Sequence, residues 1–381
     1  MTAMPRDVHP GGFPLWAARS TPLALPVLEE EARADVCVVG LGGSGLTAIH
    51  ALLDSGLDVV GLDAGPVASG AAGRNGGLLL AGLAPFFHDA AEALGAPRAT
   101  ALHRATMDEQ ERVVAASAAY VRRTGSLRIA ADDAEAEDCA AQLDAMRAAG
   151  LPVERYQGPW GRGLLFPTDL AFHPLGRALG LATDARGRGA RLFERSPAVE
   201  VRADAVRTDR GAVRADHVIV ATAGGLARLV PELAPRVRTA RLQMLGTAPA
   251  RDVELAVPMY LRHGYEYAQQ LPGGEIALGG FRDHHEDEEW TDSTDPTAAI
   301  QGLLDSFLRD RIGTTAAVTH RWAASVGYVD GPLPVVEELE RGVFALGGYS
   351  GTGNLVGALA GRAAAEWAAG APGPFTELFS A

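Results

Sequence analysis

Val36, Cys37, Val38 and Val39 form an uninterrupted apolar run of the kind a strand buried on both faces of a parallel sheet carries. The run stops at Gly40, and Gly40, Gly42 and Gly45 fall at the G-x-G-x-x-G spacing. Leu46, Ile49, Ala51, Leu52 and Leu53 then supply the apolar face of a helix that ends near Ser55 and Gly56. A second strand, Asp58–Leu62, delivers Asp63. Strand, glycine turn, helix and strand in this order open a doubly wound α/β unit. Gly40 permits the tight turn, Gly42 lets a pyrophosphate approach the backbone, and Gly45 lets the helix lie close to the strand. Gly43 and Ser44 open the helix, whose unpaired N–H groups and positive dipole end favour phosphate. A carboxylate at Asp63 accepts hydrogen bonds from ribose hydroxyls and repels a 2′-phosphate, which favours NAD or FAD over NADP.

Two more glycine clusters decide between those two. After Asp63 comes the stretch Ala64 to Leu78, with Ser69, Gly70, Arg74, Asn75, Gly76 and Gly77, whose donors suit phosphate and the edge of a heterocycle. Near the C-terminus, Val343–Leu346 reads as a strand. It is followed by Gly347, Gly348, Tyr349, Ser350, Gly351, Thr352, Gly353 and Asn354, then a helix from Leu355 to about Trp367. This second strand–loop–helix unit can aim N–H groups at a ligand. An NAD dehydrogenase has no need of it, whereas a flavin does, because positive potential near its pyrimidine end stabilises the reduced anion.

Composition narrows the class. With 381 residues, 47% hydrophobic and 21% charged, the chain has room for two domains with proper cores. Residues 1–21 lack an apolar segment of signal-peptide length, and no window is long enough to span a bilayer, so a cytoplasmic location is the default expectation. Cys37 and Cys139 are the only cysteines, and both read as structural. A net charge of −13 works against a nucleic-acid partner. The chain has no lysine, which excludes a pyridoxal Schiff base and a Walker-type phosphate lysine.

The N-terminal fingerprint, the loop Ser69–Gly77 and the segment Gly348–Gly353 together resemble the D-amino-acid-oxidase-like superfamily of FAD enzymes, most of all the branch that contains γ-glutamylputrescine oxidoreductase. Phe166-Pro167, His173-Pro174, the strand Val218–Val220 running into Ala221, Thr222, Ala223 and Gly224, and Trp322 through Pro334 match in order, over roughly residues 33–370. Ala223 stands where the family usually has threonine. The resemblance implies FAD held by the three glycine segments, Asp63, Ala64, Val199 and residues 221–224, and the absence of His and Cys from Ser69–Leu78 and Gly347–Asn354 points to non-covalent binding. It implies a two-domain α/β architecture: a Rossmann-like FAD domain from residues 33–86, 163–236 and 321–371, and a discontinuous mixed-sheet substrate domain from 87–162 and 237–320. Residues 88–150 read as amphipathic helices, and Glu275–Gly280 as part of a sheet over the flavin face.

The chemistry expected is oxidation of a C–N bond in a small amine, with an α-amino-acid, glycine or N-methyl-amino-acid oxidase as the alternative. Tyr260, Arg262, Tyr265, Tyr267, Trp322 and Tyr349 are the candidate pocket residues. The three tyrosines at 260, 265 and 267 can equally be core aromatics, and Arg262 is either a carboxylate grip or a surface cation. Amino-acid oxidases of the superfamily commonly carry an arginine near the segment written here as Ser325–Asp330. None stands between Trp322 and Asp330, which shifts weight to an amine. The missing lysine also removes the group that helps oxygen react in some members, so slow oxygen reactivity is expected, or else a His or Arg in its place. The run Asp283–Glu289 reads as a solvated acidic loop rather than a metal or polyamine attractor. An RNA-modifying flavoenzyme is opposed by the acidic charge.

Overall fold

In the computed structural model of the chain, residues 12–380 are described; the expectation about a leader segment therefore lies in part outside the described residues. The strands are numbered in chain order. One sheet holds β1 (Glu31–Val39), β2 (Val59–Leu62), β9 (Arg191–Phe193), β10 (Ala198–Arg202), β11 (Ala205–Thr208), β12 (Ala212–Val220), β18 (Val335–Glu340) and β19 (Val343–Gly347). Its centre is parallel: β9, β2, β1, β12 and β19 lie side by side, while β10 and β11 fold back against the start of β12. The helices Gly43–Asp54 and Val356–Ala368 pack together on one face. Their approach is close, since a Cβ on Gly361 would stand 2.3 Å from the Ser44 carbonyl oxygen.

A second sheet holds β5 (Ser126–Ile129), β6 (Glu154–Gly158), β7 (Gly161–Phe166), β13 (Arg238–Thr247), β14 (Met259–Leu261), β15 (Glu266–Gln270), β16 (Ile276–Gly279) and β17 (Val318–Tyr328). Its order is β17-β13-β16-β15-β14-β5-β7-β6. A small third sheet of β3 (Leu78–Leu79), β8 (Leu170–Phe172) and β4 (Val121–Arg123) sits beside them. The helices expected over 88–150 form as Phe87–Leu94, Ala96–Ser117 and Asp133–Ala148. The domain limits expected at 163 and 321 cut through β7 and β17, both of which pair within the second sheet.

Cys37 and Cys139 are buried and unpaired, and burial pushes the Cys139 thiol up to about 11. His173 caps the helix Pro174–Gly187, its Nδ1 accepting the Gly176 N–H at 3.0 Å. Among the described residues no helix is long and apolar enough to cross a membrane.

The acidic run departs from the expectation of a solvated loop. Glu286, Asp287 and Glu288 are exposed, but Glu289 is fully buried and forms a bidentate pair with Arg241 of β13, at 2.7 and 3.0 Å. Gln243 adds a third hydrogen bond to the same carboxylate. Asp283 is taken up by Arg262. Among the described residues no group of three or more His, Cys, Asp or Glu is placed to hold a metal. Removing one partner of a buried pair leaves an uncompensated charge. Glu289→Ala is therefore expected to destabilise the protein by about 3–5 kcal/mol, measured by chemical denaturation. Glu288→Ala, at an exposed side chain, should change stability by less than about 0.5 kcal/mol.

Candidate active site

The turn after β1 is built as its sequence spacing requires. Gly40 has φ +105°, and a Cβ there would lie 2.5 Å from the Ala221 carbonyl oxygen; a Cβ on Gly45 would lie 1.9 Å from the Gly40 carbonyl oxygen. These two glycines serve packing. Gly42 and Gly43 face a crevice instead, with nothing nearer Gly43's Cβ position than 4 Å. At the end of β2, Asp63 accepts the Leu41 N–H at 2.8 Å and the Gly65 N–H at 2.9 Å. Burial outweighs those donors, and the nearby Glu194 charge adds to it, so the carboxyl is raised to about 6.

The second glycine loop, residues 69–78, is tied on three sides. Arg74 donates to the Ser69 carbonyl at 2.7 Å and to the Ala323 carbonyl of β17 at 3.0 Å. Trp322 and Trp16 donate from their indoles to the Arg74 and Asn75 carbonyls. Asn75 and Asn354 exchange side-chain hydrogen bonds at 3.2 and 3.3 Å, and Asn354 also donates to the Leu78 carbonyl. From the second sheet, Gln269 donates to the Gly76 and Gly77 carbonyls.

One cavity of about 1160 Å³ is lined by Gly42 and Gly43, by the 69–78 loop, by residues 349–354, and by the second sheet. That exceeds the usual range for one small ligand, so it has room for a dinucleotide and a substrate together. The hydroxyl of Thr222, on this lining, is buried without a hydrogen-bond partner. An open glycine cradle, a ribose-type acceptor and an unused buried hydroxyl fit an FAD.

The candidate residues separate. Tyr260, Tyr265, Tyr267 and Tyr349 line the cavity, as do Asp63, Ala64, Ser69, Gly70, and residues 221–224. Burial raises Tyr260 to about 12 and pushes Tyr267 and Tyr349 higher still. Trp322 is fully buried behind the Arg74 backbone and does not reach the cavity. Gly45, Gly77 and Gly348 stand behind its wall, and Val199 is 46% exposed on β10, beyond the lining residues Ser196 to Ala198. Arg262 is neither a free surface cation nor a free grip: Glu266 and Asp283 both hold its guanidinium. Sequence reading missed Arg228, which pairs with Asp292, and two further lining cations, Arg128 and Arg282. The Arg282 guanidinium lies 4.7 Å from the Tyr328 ring centre, so a cation does stand beside the stretch Ser325–Asp330, which carries none of its own. Neither arginine sits in a motif, and the tertiary fold alone brings each to the cavity.

Residues 35–367 match the family model described as FAD dependent oxidoreductase (DAO), and the chain belongs to this family. It is 27% identical over 372 residues to gamma-glutamylputrescine oxidoreductase of Escherichia coli (strain K12), covering 89% of this chain and 84% of that protein. A probable oxidoreductase, OrdL, of Rhizobium meliloti (strain 1021) is 26% identical over 370 residues, covering 91% and 85%. In fold it is similar to the crystal structure of glycine oxidase from Geobacillus kaustophilus, with a TM-score of 0.73 at 19% identity over 90% of this chain and 96% of that one.

The state of Asp63 gives a pH test. Its pKa lies above the ordinary carboxylate value, so below about pH 6 it is protonated and a poorer acceptor for ribose hydroxyls. FAD affinity is expected to fall as pH drops through about 6 and to be level above it. Asp63→Asn should weaken binding by about 1.5–3 kcal/mol and flatten the profile, as read by fluorescence titration of the apoprotein.

Proposed function

We propose that this enzyme oxidises the C–N bond of a small amine. The observation that carries this reading is the continuity of the cavity: the cradle between the glycine turns opens onto a face of the second sheet carrying Tyr260, Tyr267 and Met244. When bound there, FAD supplies a hydride acceptor for the carbon next to nitrogen, leaving an imine that water hydrolyses. The protein's task is then to position that carbon and keep the amine neutral. The lining serves both. Tyr260 and Tyr267 stay protonated at neutral pH, and burial lowers His103 to about 4, so it is uncharged. Apolar and neutral walls, together with the lining cations Arg128 and Arg282, disfavour an ammonium and so favour the reactive free amine. No strong base is required, since hydride leaves from the neutral amine. The gamma-glutamylputrescine oxidoreductase likeness supports the same reading.

Arg282 favours a second reading. A cation beside Tyr328 can hold an α-carboxylate, as an α-amino-acid or N-methyl-amino-acid oxidase requires. The two are separated by anaerobic addition of pooled amines, then pooled amino acids, to the yellow holoenzyme. Bleaching of the flavin bands by amines supports the first; bleaching by amino acids alone, lost by at least tenfold in rate in Arg282→Gln, establishes the second. The chain also lacks lysine, and slow reoxidation of the reduced enzyme by air is expected in stopped flow. Fast reoxidation would show that one of the lining arginines or histidines takes the lysine's place.

A further inference from the structure

Arg128 is a buried cation that the reading above does not use. Its residue is 8% exposed, and among the described residues it forms no ion pair within 4 Å. Its Nη1 donates to Gln142 Oε1 at 2.9 Å, while its Nε is buried with no partner. The guanidinium lies 3.9 Å from the Phe86 ring centre and 4.9 Å from that of Tyr260. Asp169 attracts it electrostatically but makes no direct pair with it, accepting instead from Ser126, Gln110 and the Ala81 N–H. Two ring contacts give about 1–4 kcal/mol together, against a cost of several kcal/mol for burying an ion. A cation so placed has no anion in direct contact among the described residues, and it lines the cavity.

Strand register fixes where that anion would sit. Met244, Gly279, Tyr267, Tyr260 and Arg128 are paired each to the next across β13, β16, β15, β14 and β5, so their side chains share one face. Tyr267 packs against Gly76 of the 69–78 loop, where a Cβ would meet its ring at 2.7 Å. The Arg128 backbone lies two strands further along the row, roughly 10 Å by strand spacing, and its guanidinium stands 4.9 Å from the Tyr260 ring centre. An amine held beside Tyr267 and the 69–78 loop therefore meets Arg128 through a carboxylate further along its chain than the α position.

We infer that the substrate is an amine whose far end carries a carboxylate, and that Arg128 binds that carboxylate at the distal end of the cavity. The inference rests on the C–N oxidation reading for the amine end, while the anion site stands on its own geometry. Gln142 fixes one edge of the guanidinium, leaving Nε and its neighbouring edge to meet the two oxygens of a carboxylate.

Two measurements on the holoenzyme test it. The first titrates hexanoate, and hexanamide as the uncharged control, against the bound-flavin absorbance. Hexanoate is expected to bind at least tenfold tighter than the amide, to lose that advantage in Arg128→Gln, and to keep only part of it in Arg128→Lys, which retains charge without the fork. The second compares flavin reduction by 6-aminohexanoate and by its amide. The acid should have at least a tenfold higher kcat/KM in the wild type and none of that preference in Arg128→Gln. Equal binding of hexanoate and its amide overturns the proposal, as does an acid preference abolished by Arg282→Gln and untouched by Arg128→Gln. Arg128-dependent hexanoate binding with no reduction by any amine leaves the anion site standing and overturns the amine reaction instead.

Discussion

The loop of residues 69–78 is the point on which both halves of the site depend. It belongs by sequence to the first sheet, following directly from β2, yet its carbonyls and side chains are shared with everything around it. Arg74 reaches β17, Gln269 reaches back from β15, and the Asn75–Asn354 pair closes the link to the late glycine turn. Because these bonds are largely buried, each unmade one would leave a polar group without water to replace its partner. The loop is thereby held in one shape, and the cavity's two walls are held at one separation. Asparagine suits position 75 because its amide both donates and accepts; an aspartate there would only accept and would face the Ala71 and Ala72 carbonyls that Asn75 now serves.

The second sheet contributes by register. A slip of one residue in β14 or β15 would turn Tyr260 and Tyr267 away from the cavity and present their neighbours instead. The register is secured at the edges of this row. Gly279 leaves space that the Tyr267 ring fills, since a Cβ there would stand 2.6 Å from it. On β13, two strands away, the Arg241–Glu289 pair locks the acidic segment under the sheet and so positions Arg282 at the cavity.

What could be read from the sequence divides along the same line. The turn at Gly40–Gly45, its helix and the late glycine unit were legible because their signals lie within about a dozen neighbouring residues, where glycine spacing and apolar periodicity speak directly. The composition of the 69–78 loop announced a contact surface, though not its partners. Trp322 and Arg262 were chosen for residue type, and type does not say which side of a wall a side chain occupies or whether carboxylates have already claimed it. Glu289 looked solvated because its neighbours are; its partner stands 48 residues earlier in β13. Arg128 and Arg282 carried no signal at all, since only pairing between β5 and β14, or the fold of the acidic segment, brings them to the site.

Arg128 and Arg282 differ in what an anion would gain from each. Arg282 is half-buried and stacked among Tyr265, Trp290 and Tyr328, so water still solvates part of its charge. Pairing with a partly hydrated cation yields little, because the attraction is screened and the water must be displaced. Arg128 is only 8% exposed, so an incoming carboxylate faces a charge that has already given up most of its water. The carboxylate's own desolvation is the remaining cost, set against a bidentate pair in a low dielectric. A ligand with a single carboxylate long enough to reach either arginine is therefore drawn to the buried one. The fold has placed that cation where a short substrate cannot use it, and chain length becomes the property the cavity selects.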